Sequence, residues 1–151
     1  MEIIARKIFV FDKIMVFFKH TDYHGFVHPY NYLEWTSFVR EAFFSEVCKS
    51  FREILYSPVK MMTAKIHSTM HADAVFGDSI MAKFTVFRIK KVSFDVVVRF
   101  FRKSDNKFLC ETRHTLVFVD SNSEKFTAIP QDLNHAILDY EEVDDSIEHQ
   151  F

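Results

Sequence analysis

Between Pro29 and Pro58 the chain contains neither Gly nor Pro, and its apolar residues follow a helical rhythm. Tyr32, Trp35, Val39, Phe43 and Val47 recur at spacings of three and four, one continuous stripe on a 3.6-residue period. Leu33, Phe38, Ala42 and Phe44 widen that stripe, so the predicted helix, ending near Lys49, is apolar on most of its circumference. Such a helix has to be covered by the rest of the chain and belongs in the middle of a fold. Pro29 fits the first helical position, where its missing N–H costs nothing structurally.

The flanking segments have strand character. Ile8 to Phe18 is rich in β-branched and aromatic residues and reads as a strand buried on both faces. Ser50 to Pro58 is a short amphipathic connection closed by Ser-Pro. Beyond it, Met62 to Val75 forms a long or broken strand ended by the Gly77-Asp78 turn. Ile80 to Ile89, Ser93 to Arg102 and Phe108 to Asp120 follow as three more strands with hairpin-length turns. A terminal helix is predicted from Pro130 to Tyr140, and Glu141 to Asp145 reads as a frayed, solvated acidic tail. The predicted fold class is α+β. An antiparallel sheet of about five strands solves the layer problem by curling round the one long helix, the hotdog architecture. Residues 1–151 read as a single domain, with a core over about 8–130 and the helix and tail in 131–151.

Composition narrows the function classes. A formal net charge of −2 gives no basic field for nucleic acid. No apolar run approaches the roughly 20 residues that span a bilayer, and Cys48 and Cys110 read as reduced core residues of a cytoplasmic protein. Nineteen phenylalanines give a bulky core and more apolar surface than one chain hides, which points to a homodimer or homotetramer.

The chemistry concentrates ahead of the helix, in His20-Thr21-Asp22-Tyr23-His24-Gly25-Phe26-Val27-His28-Pro29. A carboxylate on a tight loop feeding a helix N-terminus sits beside unpaired N–H groups and a partial positive charge, the surroundings an oxyanion or phosphate needs. Asp22 is that carboxylate; its bland reading is a turn-former. Gly25 supplies a backbone conformation that a side chain would forbid. Asn31 reads equally as a helix cap or as a group orienting water and the loop. His28 is the histidine placed to touch substrate, and Tyr30 brings the first helical amide. His20, Asp22, His24 and His28 cluster densely enough to raise a metal site, yet loop histidines are more often surface residues, and no metal or other cofactor is predicted. Arg40 has Thr36, Ser37, Phe43 and Phe44 as helical neighbours and no local acid, so it needs a distant partner or a substrate oxygen.

The loop-helix pattern resembles the hotdog-fold thioesterases of the 4-hydroxybenzoyl-CoA thioesterase type. Asp22, Gly25, Val27 and Asn31-Tyr32 match that family's loop in identity and spacing; Tyr32-Leu33-Glu34-Trp35 and Arg40 match its helix start. The nearest variant is the branch acting on enediyne polyketides, with Arg40-Glu41-Ala42-Phe43 similar to its Arg-Glu-x-Phe. Ala74 to Asp78 resembles the family's turn before the third strand, and Lys90-Lys91-Val92-Ser93-Phe94 its basic turn near the CoA phosphates. The resemblance implies hydrolysis of an acyl-CoA or acyl-carrier-protein thioester, with Asp22 attacking the carbonyl or activating water, Arg40 and Asn31 assisting, and Lys90, Lys91 and Ser93 binding phosphates. The enediyne branch carries asparagine at the acid's position and relies on the helix arginine, whereas this chain has both. It also departs at Pro29, which matches the position whose N–H polarises the substrate carbonyl. The oxyanion donor is then the amide of Tyr30 or Asn31, Gly25, or Arg40. A binding module using the same groove without turnover is the alternative, and a hotdog dehydratase ranks below it for want of a suitably placed histidine–acid pair.

Overall fold

The computed structural model describes residues 3–143. Its elements in chain order are β1 (Phe9–Met15), α1 (Tyr30–Val47), α2 (Phe51–Tyr56), β2 (Val59–Met70), β3 (Ser79–Phe87), β4 (Ser93–Arg102), β5 (Lys107–Asp120), β6 (Lys125–Phe126) and α3 (Gln131–Ile137). One 3-10 turn follows β1 at Phe18–His20 and another closes α3 at Leu138–Tyr140. The strands form one antiparallel sheet in the order β1-β3-β4-β5-β2, with β6 pairing to the end of β5.

The sheet curls about α1 because its concave face is almost wholly apolar. Phe84, Phe94, Phe100, Leu116 and Phe118 are fully buried there beneath Tyr32, Val39, Phe43 and Phe44 of the helix. Phe43 stacks on Phe84 with ring centroids 4.1 Å apart, and Tyr32 meets Phe100 edge-on at 5.1 Å. Each such ring removes on the order of 150–250 Å² from water, which makes this face the main source of stability. The two cysteines are free and buried in the same core.

Four expectations change. β1 is not buried on both faces: Val10 and Met15 are exposed while Ile14 and Val16 are covered, since β1 is an edge strand bonded to β3 alone. The helix is not covered nearly all round either. Glu34, Ser37, Phe38, Glu41 and Glu46 face outwards, because one curled sheet reaches only the opposite side. Nor is the start of the acidic tail solvated. Glu142 donates its backbone N–H to the Val86 carbonyl at 2.8 Å, and its carboxylate pairs with the buried guanidinium of Arg99 and accepts from the Thr85 hydroxyl. Asp144 and Asp145 lie outside the described residues. Ser50 to Pro58, read as a connection, contains the short helix α2.

Arg99 is 4 % exposed and also donates from Nε to Glu111 at 2.9 Å. Charges this deep are tolerated only when paired, so the tail carboxylate is part of the fold. Replacing Glu142 with Ala should lower unfolding stability by on the order of 3 kcal/mol, the low end of the range for breaking a buried pair, since Glu111 remains. Urea denaturation checks this; a loss below about 0.5 kcal/mol, the scale of an ordinary surface substitution, contradicts it.

Candidate active site

The loop between Thr21 and Pro29 is built by its own backbone. Thr21 bridges Val27, Asp22 donates its N–H to the Phe26 carbonyl at 2.7 Å, and Gly25 donates to the Asp22 carbonyl at 3.0 Å. Gly25 sits at φ +84°, in the left-handed region, and a Cβ there would meet nothing within 4 Å. Its glycine is therefore required by backbone conformation rather than by space. The Asp22 carboxylate takes part on one side only. Oδ1 accepts from the amides of His24 (2.9 Å) and Phe26 (3.2 Å), while Oδ2 has no hydrogen-bond partner among the described residues. The loop is docked onto the β2–β3 connection by Val27 N–H to the Ala74 carbonyl and by the Phe26–Val75 bridge.

Asn31 is 3 % exposed and fastens this loop to the helix. Its Nδ2 donates to the carbonyls of His20 (2.8 Å) and His28 (3.0 Å), holding both ends of the loop against the first turn of α1. Among the amides expected to stabilise an oxyanion, that of Asn31 is engaged by the His28 carbonyl at 3.0 Å and that of Gly25 by Asp22. The Tyr30 amide is held only by Nδ1 of the exposed His28 ring at 3.3 Å, a long bond that a ring rotation releases. The helix start thus keeps one available N–H despite Pro29.

Arg40 lies ten residues beyond Tyr30, about 15 Å further along the helix axis at 1.5 Å per residue. Its guanidinium turns towards β2 and β5, where Nη1 donates to Thr63 Oγ1 (3.2 Å) and His114 Nδ1 (3.1 Å). Neither Nε nor Nη2 has a hydrogen-bond partner among the described residues, and no carboxylate there forms an ion pair with it. Burial works against its charge. It borders a depression of about 230 Å³ shared with Phe44, Phe51, Leu55 and Met61; Glu41 lies at the rim without pairing to it. The His114 imidazole is buried, and burial first and Arg40 second push its pKa down to about 4, so the ring is neutral above that pH. Neither His114 nor Thr63 was flagged by sequence. The available signal was a histidine on the inward-facing set Thr112, His114, Leu116 of a buried strand.

One chain does not gather all of the predicted residues. Asp22, Gly25, His28, Tyr30 and Asn31 come together at the start of α1. Lys90, Lys91 and Ser93 sit at the opposite end of β3 and β4 from the Ala74–Asp78 turn, roughly 30 Å away at 3.3 Å per strand residue. There Lys90 donates its N–H to the Ser93 carbonyl at 2.8 Å, and both lysine side chains are exposed. The loop histidines do not converge. His20 is turned inward, accepting from the Phe17 amide and packing against Trp35 at 5.1 Å, and no three metal-ligating side chains cluster among the described residues. No described helix is long and apolar enough to cross a membrane.

Among solved structures, a 1,4-dihydroxy-2-naphthoyl-CoA thioesterase from Synechocystis superposes with a TM-score of 0.80 at 19% identity, over 88% of this chain and 97% of the other. The dynemicin thioesterase, described in connection with polyene binding, also gives 0.80, at 18% identity over 91% and 98%. A Staphylococcus aureus protein solved in complex with CoA gives 0.80 at 16% identity over 93% and 87%. At these identities the likeness is one of fold. A search of curated protein sequences finds no match. The sequence profile of the thioesterase-like superfamily matches residues 16–137, and with the curled sheet, the long helix and the Asp22 loop in place, the chain belongs to that superfamily.

Proposed function

We propose that this protein hydrolyses an acyl-CoA or acyl-carrier-protein thioester, with Asp22 as nucleophile or general base. The observation that carries the reading is the half-used carboxylate: Oδ1 is pinned by two amides while Oδ2 is left over at the mouth of α1. As nucleophile, Oδ2 adds to the carbonyl carbon and expels the thiolate, leaving a mixed anhydride that water cleaves. As base, it takes a proton from water, whose oxygen adds to the same carbon before the thiolate departs. In either route the carbonyl oxygen becomes an oxyanion, which the Tyr30 amide receives once His28 swings aside. Asn31 keeps the loop in register with that amide. A non-catalytic binding module is the second reading, and one observation favours it: Pro29 offers no N–H, and most neighbouring amides are already bonded.

The rest of the site is supplied, on this reading, by a second copy of the chain in a homodimer. β2 is a sheet edge with every residue from Met62 to Met70 exposed. A register shift between Thr63 and Lys65 turns Ile66 and Met70 to the face shared with Thr112 and His114, where they lie uncovered. An apolar edge strand of this length needs a cover. The separations within one chain make the same demand, since Arg40 and the Lys90-Lys91 turn reach the Asp22 loop only from another copy. Lys90 and Lys91 then hold phosphates of the pantetheine-bearing group, which a raised KM for acyl-CoA in the Lys90→Ala/Lys91→Ala variant would report.

Asp22→Asn keeps the loop's shape and removes the charge. Its kcat should fall on the order of 10²–10⁴-fold with substrate affinity kept, as expected for loss of a general base or nucleophile. Arg40→Ala, measured alongside, should lower kcat on the order of 10²-fold, the size of losing one oxyanion donor. Near-normal turnover in Asp22→Asn with collapse in Arg40→Ala would reduce Asp22 to a loop-former.

The composite site has its own test. Asp22→Asn and Arg40→Ala chains co-expressed and purified as mixed dimers should regain about half of wild-type turnover, because each mixed dimer has one intact site of two. No recovery in dimers shown by mass spectrometry to be mixed would place both groups in one chain's site.

A further inference from the structure

We propose that His114 is a positioning residue: its neutral imidazole, with Nδ1 towards α1, holds the Arg40 guanidinium in place without cancelling its charge. The inference rests on the reading of Arg40 as a group that meets the substrate's developing negative charge.

The proton positions follow from the donors present. Arginine only donates, so the 3.1 Å contact from Nη1 makes Nδ1 of His114 the acceptor and puts the ring proton on Nε2. Nε2 is buried and has no hydrogen-bond partner among the described residues, so this arrangement leaves a polar group unsatisfied. The second acceptor on Arg40, the Thr63 hydroxyl, is also neutral. A carboxylate at position 114 would accept from the guanidinium with full charge compensation and strand no donor.

The arginines on the sheet itself have that compensation. Arg99 is paired with Glu142 and Glu111, Arg113 with Asp95, and Arg102 with Asp78 and Asp105. Arg40 alone among these four is seated on neutral groups, although its side chain is partly withdrawn from water. A half-buried cation with only neutral acceptors keeps much of its attraction for an incoming anion, and a preorganised one costs no rearrangement when charge develops. The surroundings of His114 maintain the state. On α1 it faces Arg40; its strand neighbours are Ile66 on β2 and Val96 on β4, both uncharged. Burial and Arg40 together keep the ring unprotonated down to a pH of about 4.

Two near-isosteric variants separate positioning from a merely structural role. His114→Asn puts an amide oxygen near the Nδ1 position and should keep kcat within about threefold, while His114→Asp puts a carboxylate there and should lower kcat on the order of 10²-fold, the size of losing one oxyanion donor, with KM little changed. The Asp variant should melt no lower than the Asn variant, because its new charge is paired. Equal kcat in the two variants would overturn the proposal. A second readout is independent of turnover: ¹⁵N NMR of the histidine rings should show His114 as the Nε2–H tautomer at neutral pH, with its resonances shifted in Arg40→Gln. An Nδ1–H tautomer would overturn the seat whatever the kinetics. If instead the tautomer is as stated and Arg40→Gln turns over normally, the catalytic reading of Arg40 fails and the proposal fails with it, while the seat's geometry stands.

Discussion

The candidate site positions at the start of α1 and at Arg40 are set by the packing of α1 against the concave face of the sheet. Phe43 on Phe84 and Tyr32 on Phe100 fix the helix's depth and rotation, and Phe44 adds contacts to Phe51 and Phe94. Rings of this size interlock with little tolerance for sliding. Once they are seated, the N-terminus of the helix must emerge beside the Ala74–Asp78 turn, and Arg40 must lie over β2 and β5. The hydrogen bond between the hydroxyls of Thr36 and Thr112, 2.7 Å long in a mostly apolar layer, sets the same register. Asn31 then transmits that register to the loop, since its amide grips both loop ends. The Asp22 carboxylate is thus placed by a chain of contacts that starts in the core.

Much of this was legible in sequence because the periods of the two structure types differ. The stripe Tyr32, Trp35, Val39, Phe43 lies buried in α1, and β3, β4 and β5 fall within a residue or two of the segments read from alternation and turn residues. Gly25 announced a left-handed backbone and has one. Segments without a strong period were misread. Ile8 to Phe18 looks doubly apolar by composition, but its burial is decided by its place at the sheet edge. Glu141 to Asp145 looks like solvated tail, and nothing local reveals that Arg99 on β4 requires Glu142.

The candidate site residues divide in the same way. Asp22, Gly25 and Asn31 are close in sequence, so spacing alone brings them together. Arg40 was conspicuous because a lone cation on an apolar helix stands out, but its seat was not, since His114 and Thr63 reach it through strand register. That register includes a shift between Thr63 and Lys65, which alternation along the strand cannot show. The distance from Lys90 and Lys91 to the loop was equally hidden, because it depends on β3 and β4 running the full length of the sheet between them.

The central claim is that the half-used carboxylate of Asp22 makes this member of the thioesterase-like superfamily a catalyst. The most direct measurement is continuous detection of free thiol while the purified protein is held with a panel of aryl-, polyene- and medium-chain acyl-CoA thioesters. The account predicts many molecules of thiol released per chain, with saturation, for at least one of them. Saturable binding of the same thioesters without thiol release would contradict it and leave a groove that binds but does not react.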